Sequence, residues 1–172
     1  MKYILKGRDH RGFTLIEIIA VLIIVGIVAA VAISSVMSTS ETGRISQENV
    51  IKNHIRYAQS MAMKRGEIWG IKCDGTDYWL FRTNDPDTAA NQIVLPDEES
   101  AKVTLANKNV TMTALAMPLT VFFDANGRPY TAYTDAATNT PVSAPLSITV
   151  DSIPAGSGTP SFNVTPETGF IP

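Results

Sequence analysis

Hydrophobic and polar positions divide the chain into three textures. From Phe13 to Ile33 the sequence is apolar without a break except for a single carboxylate, Glu17, placed five residues in. At about 1.5 Å per residue a helix over 13–33 reaches roughly 31 Å, the thickness of a bilayer core, so it can span once. From Ser34 the residues turn polar with no proline or clear break, which lets the helix continue with Gly43 as its weak point. Further on a stripe returns. At about 100° per residue, Ile51, Ile55, Ala58 and Ala62 fall on one side with Val50, Tyr57 and Met61 flanking them, while Asn49, Lys52, Asn53, Arg56 and Ser60 lie opposite. Lys64-Arg65-Gly66 supplies cations and a C-cap glycine, so the helix is expected to end there.

Beyond Gly66 the texture becomes short β-like runs over 68–73, 78–82, 110–115, 119–123, 146–150 and 161–165. Asp74-Gly75-Thr76-Asp77 and Asp124-Ala125-Asn126-Gly127-Arg128 carry turn chemistry, because glycine and asparagine tolerate positive φ, and the first makes 68–82 a hairpin. The stretches 83–92, 134–144 and 154–160 lack periodicity and are rich in Thr, Asn, Pro and Gly, which predicts exposed loops. No internal repeat is present. The domain plan is therefore a leader over 1–12, a transmembrane helix over 13–33, an amphipathic continuation over 34–66 and a β-rich head over 67–172. The expected fold class is α+β, one long helix whose outer half packs on an antiparallel sheet.

Charge refines this plan. The formal net charge is −2. Lys2, Lys6, Arg8 and Arg11 against Asp9 leave the leader at +3, so residues 13–172 carry −5 and offer no general basic field for nucleic acid. The leader cations hold the N-terminus in the cytoplasm by the positive-inside rule, which places everything after the helix outside. A secretory signal is cut beyond its apolar stretch, whereas Gly12-Phe13 puts the plausible cut before it and retains the stretch. A charge such as Glu17 is expensive in a bilayer and marks a functional position; the alternative is a signal anchor in which the glutamate snorkels to the interface.

Arg11-Gly12-Phe13-Thr14-Leu15-Ile16-Glu17 closely resembles the processing site of class III signal peptides, the mark of type IV pilins and type II secretion pseudopilins. The resemblance implies that a prepilin peptidase cuts after Gly12 and N-methylates Phe13. It also implies that Glu17 attracts the Phe13 amine of an adjacent subunit, driving docking and setting axial register. Ile55-Arg56-Tyr57-Ala58-Gln59-Ser60-Met61-Ala62-Met63-Lys64-Arg65-Gly66 looks like the helix end of the GspH/FimT branch. So do Cys73-Asp74-Gly75 with Tyr78-Trp79, the stretch from Leu119 to Gly127 and that from Phe162 to Gly169. This implies a pilin-like fold, with other pseudopilins or pilins, the prepilin peptidase and an inner-membrane assembly platform as partners. Its implied location is the inner membrane, single-pass, with the head in the periplasm and the subunit joining a pilus-like filament. Two departures stand out. Many pilins carry a proline where this chain has Ser34, so only Gly26 remains of the pair between which the family's helix loosens. DNA-binding FimT members carry arginines near the C-terminus, whereas this chain ends Thr168-Gly169-Phe170-Ile171-Pro172.

The chemistry for an enzyme is sparse in the mature region. His54 is its one histidine and Cys73 its one cysteine. His54 falls near the polar arc and reads as solvated or interfacial. Cys73 reads as a small buried apolar residue that forms no intrachain disulfide. No zinc spacing exists, and Asp85, Asp87, Asp97, Glu98 and Glu99 lack the alternating spacing of a calcium loop, so solvated charge is expected there and no cofactor. Trp69, Trp79, Tyr78 and Phe81 divide by alternation: one face buried with at least one tryptophan, the other free for neighbouring subunits. The function expected is a minor pseudopilin of a type II secretion filament. The alternatives are a minor pilin priming type IV pilus assembly, a DNA-uptake pilin, or a membrane-anchored enzyme.

Overall fold

The structure, a computed structural model, describes residues 14–153 and 161–172, with backbone only for 31–41 and Ser161. The chain divides into two compact units, Met1–Ser38 and Thr39–Pro172. The described part of the first unit is helical. α1 is Leu15–Arg65, continuous through Gly26, Ser34 and Gly43, so the expected weak point at Gly43 does not break it. Its end is the expected one: Gly66 takes φ 68° and donates its N–H to Ala62 O at 2.9 Å.

Among the described residues ten strands follow: β1 Trp69–Cys73, β2 Asp77–Arg82, β3 Gln92–Ile93, β4 Lys102–Thr104, β5 Val110–Ala114, β6 Leu119–Phe123, β7 Pro129–Tyr133, β8 Asn139–Pro141, β9 Leu146–Ser152 and β10 Ser161–Val164. They form two antiparallel sheets where one was expected. The larger has the order β3-β2-β1-β6-β7-β8, with β4 sharing β2's outer edge with β3; the smaller is β10-β9-β5. Four strands, β3, β4, β7 and β8, fall where no strand was expected, and β3 and β8 lie partly or wholly in the expected loops 83–92 and 134–144.

The expected hairpin 68–82 forms with Cys73 opposite Tyr78 and Trp69 opposite Arg82. Asp74 builds its turn: the Asp74 Oδ1 accepts the N–H groups of Thr76 and Asp77, each at 2.8 Å, while Gly75 takes φ 101°. Those hydrogen bonds stabilise the ionised carboxylate and hold Asp74 below its ordinary value. The β6–β7 turn is built likewise, the Asp124 Oδ1 accepting the N–H groups of Asn126 and Arg128 at 2.9 Å each.

One core joins helix and sheets. The α1 stripe Ile51, Ile55, Ala58 and Ala62 is buried as the periodicity predicts. It shares a cluster with Trp69, Ile71, Cys73, Tyr78, Leu80, Val121 and Phe123 of the larger sheet and Met112, Ile148, Val150, Phe162 and Val164 of the smaller. The smaller sheet's other face is polar, with Thr111, Thr113, Ser147, Thr149 and Asn163, as in an antiparallel sheet wet on one side. The larger sheet buries both faces. Trp79, Phe81, Phe122 and Tyr130 form a second aromatic cluster behind it, with Ile68 and Tyr133 against its margin. Gly70 makes room there: a Cβ would strike Val121 O and lie 2.5 Å from the Phe81 ring. Phe81 and Phe122 then meet edge to face at 5.1 Å.

Candidate functional site

Glu17 lies in the first turn of α1. Thr14 caps that turn, its carbonyl accepting the Glu17 N–H at 3.0 Å and its Oγ1 lying 3.3 Å from the same nitrogen. Thr14-x-x-Glu17 is the spacing of a capping box, a signal that sequence reading passed over. The helix N-terminus carries partial positive charge, which favours a carboxylate in this turn. No ion pair joins Glu17 to another described residue.

Every described side chain from Thr14 to Ala30 is exposed. Leu15 is 76% exposed, Ile16 71% and Leu22 64%. A helix apolar on all sides that buries none of them within its own chain has a surface suited to lipid or to other helices. Of the expected span 13–33, side chains are described only over 14–30, and among the described residues no helix is long and apolar enough to cross a membrane. Gly12 and Phe13, the expected processing site, lie outside the described residues, as does 154–160, where a loop was expected.

In the head, the polar edge of α1 is a clamp. Gln59 Nε2 donates to Gly127 O at 2.9 Å and Thr168 O at 2.7 Å, gripping the β6–β7 turn and the C-terminal segment together. Arg56 donates to Ile171 O at 2.9 Å and to Asn53 Oδ1 at 3.0 Å. Close approach is built in at both turns. A Cβ on Gly127 would come within 2.9 Å of Met63 Sδ and one on Gly169 within 2.7 Å of Gln59 Nε2, and both glycines have positive φ. Gln59, which entered the sequence reading only within a resemblance, thus has a physical role in holding the head to the helix.

His54 corrects its expectation. It is buried, 5% exposed, because the segment after β3 crosses the polar arc of the helix. Nε2 lies 3.1 Å from Pro96 O and Nδ1 3.0 Å from the Tyr78 hydroxyl. A carbonyl oxygen can only accept, so Nε2 carries the proton and Tyr78 donates to Nδ1. Loss of water holds the imidazole below its ordinary value of 6.5, against the opposing Pro96 hydrogen bond and the nearby Glu98 and Asp97.

Cys73 is free and fully buried, as expected. Of the acids expected to be solvated, Asp85, Asp87, Asp97 and Glu99 are exposed and Glu98 is half-buried. Asp85 accepts from the backbone of Asp87 and the Thr88 hydroxyl, which holds it below its ordinary value. Asp87 pairs with Lys72 at 2.6 Å, and Glu98 with Lys108 at 2.9 Å. Among the described residues no group of three or more His, Cys, Asp or Glu is placed to hold a metal ion.

The aromatics correct a second expectation. Trp69 and Tyr78 face the helix, Trp79 and Phe81 face away, and all four are buried. The segment after β2 folds back, so that Pro86 O accepts the Trp79 indole N–H at 2.7 Å while Lys102 Nζ sits 4.2 Å from the ring centroid. The outer aromatics are therefore core, and no outward aromatic platform for neighbouring subunits exists at these four positions.

Residues 7–33 match the family model of the prokaryotic N-terminal methylation motif. Comparison with curated proteins and with solved structures gives no significant match. The motif match, placed on an α+β chain whose N-terminal helix packs on antiparallel sheet, supports a type IV pilin-like or pseudopilin protein that is processed by a prepilin peptidase and assembles with other pilins.

Proposed function

We propose that the chain is a minor pseudopilin of the GspH/FimT type, a subunit of a type II secretion filament that helps export folded proteins. The observation that carries this reading is Glu17: a lone carboxylate in the first turn of an exposed apolar helix, inside a methylation-motif match over 7–33. In this reading the precursor is held in the inner membrane with its head in the periplasm. Cleavage after Gly12 exposes the amine of Phe13, and N-methylation leaves that nitrogen cationic. An unpartnered charge in lipid is costly, and the Phe13 amine of a neighbouring subunit relieves that cost by pairing with Glu17. Pairing draws the subunit into the filament and sets its register. The chain is a structural subunit on this account, and it catalyses no reaction.

Glu17→Ala tests the reading. Membrane insertion and cleavage after Gly12 should persist, because removing a charge from an apolar helix eases insertion. Subunit crosslinking in membranes and secretion should both fall. A partial defect marks a tip subunit, which has no neighbour ahead of it to supply an amine. Unchanged crosslinking and secretion would mean that Glu17 only snorkels. Deletion of the gene separates the pilus alternative: loss of pili with secretion intact would assign the chain to pilus assembly. A gel shift with DNA at low salt tests uptake, which the charge of −5 on residues 13–172 disfavours.

A further inference from the structure

We propose that the connection between β5 and β6 is a knob that seats in a hole on the head of a second copy of this chain, joining heads end to end. Leu115-Ala116-Met117-Pro118 are four consecutive exposed apolar residues, and Leu115 is 98% exposed, almost as open to water as in an extended chain. A run of this kind on a water-facing surface is unfavourable unless something binds it. The hole is a cavity of about 250 Å³ walled by Pro129, Tyr130, Pro141 and Val142, with the exposed Arg128 and Glu167 completing its lining.

Knob and hole stand at opposite ends of one strand. β6 begins beside the β1–β2 turn, where Leu119 faces Cys73, and ends where Phe123 faces Trp69 and Pro129. The knob immediately precedes Leu119, and Arg128-Pro129 lies across the turn that follows Phe123. Two such ends cannot close on each other as a two-fold pair; they repeat head to tail, and an open series of heterologous contacts is how a filament grows. A second copy is the occupant because both halves of the contact stand on this one head. Charge agrees with that pairing. Asp74 is exposed in the turn beside the knob, where a Cβ on Gly75 would lie 3.7 Å from Met117 Cε, and Lys102 is close enough to favour its ionised form. Each end therefore carries one acid and one base, and one orientation sets Asp74 against Arg128 and Lys102 against Glu167.

One loop in one small cavity buries far less than the roughly 1,600 Å² of a standard interface, so it does not hold free heads together. It acts where another contact has already aligned the copies and raised their local concentration. The inference thus rests on the assembly through Glu17 proposed above, and a head without residues 1–38 stays a monomer.

Cysteine crosslinking of the full chain in membranes tests the contact, with Cys73 buried and out of reach. Leu115 and Pro141 are both exposed, so substitution at either spares the core. Chains carrying Leu115→Cys and chains carrying Pro141→Cys are given different tags, expressed together and treated with a mild oxidant. A disulfide joining the two tags is expected, and the doubly substituted chain should give a ladder of covalent oligomers. Arg128→Glu should lower the yield of the mixed pair, and Glu17→Ala should abolish it. An amine-reactive crosslinker applied to the same membranes reports assembly independently of the knob. Amine crosslinks between the two tags without the mixed disulfide would overturn the knob and leave assembly standing. Leu115→Cys chains linked to one another would reveal a two-fold contact and overturn it as well. Absence of both kinds of crosslink would overturn self-assembly, and this inference with it.

Discussion

Single residues in this protein acquire their chemistry from what covers them, and sequence reads that cover unevenly. Cys73 was legible because it ends a strand of buried character whose alternate positions, Trp69 and Ile71, face the same core. Its burial pushes the thiol up to about 11, desolvation of the thiolate being the main cause. The reactive species is the thiolate, so iodoacetamide at about pH 8 should leave Cys73 unmodified in the folded chain and label it only in denaturant. Rapid labelling of the folded protein would place Cys73 at the surface. His54 was not legible in the same way. A helical wheel assigns it to the polar side correctly, but the wheel has no knowledge that Pro96 arrives from another part of the chain to cover that side. Trp79 fails for the same reason: alternation puts it on the face opposite Tyr78, and only the fold-back at Pro86 turns that face into core.

At the scale of elements, legibility follows the length of the apolar pattern and the sharpness of its ends. α1 shows its buried stripe at Ile51, Ile55, Ala58 and Ala62 and stops at a glycine, β1 and β2 flank the Asp74-Gly75 turn and β6 runs into the turn from Asp124 to Gly127, so each was readable within a residue or so. β3 and β4 are two and three residues long and exist because β2 offers them an edge, which no local pattern announces. β7 opens on Pro129, a strand-breaking residue tolerated at the first position, and β8 lies in a polar segment that pairs only with β7. The join between α1 and these sheets depends on Gln59, whose side-chain amide holds two carbonyls from turns 68 and 109 residues away. Gln59→Ala should cost about 1–3 kcal/mol, because two carbonyls lose a donor at once. Gln59→Glu keeps the shape but presents an acceptor to both, so thermal unfolding should show a larger loss at neutral pH than for Gln59→Ala. Equal stability of all three proteins would mean that the clamp contributes nothing beyond contact.

The whole molecule sorts its apolar surface by unit. Large exposed hydrophobics are almost continuous from Leu15 to Val28, whereas from Thr39 onward they are scattered over Ile45, Met63, Val94, Leu115, Met117, Ile153 and Phe170. Scattered apolar residues are ordinary on a soluble surface, and a continuous patch is not. Among the described residues the core lies wholly within 39–172, since the helix stripe begins at Ile51 and the described strands follow it. The described side chains of the first unit are all exposed. Removal of 1–38 should therefore yield a folded monomer in water without detergent, with one cooperative thermal transition and a sharp near-ultraviolet signal from Trp69 and Trp79 in their two cores. The complete chain should need detergent to remain monomeric under the same conditions. Sedimentation and circular dichroism of both chains decide the matter: an aggregated or molten fragment would mean that residues before Thr39 take part in the head's core, and a detergent-free monomer of the complete chain would mean that the surface over 15–28 finds its cover within the protein.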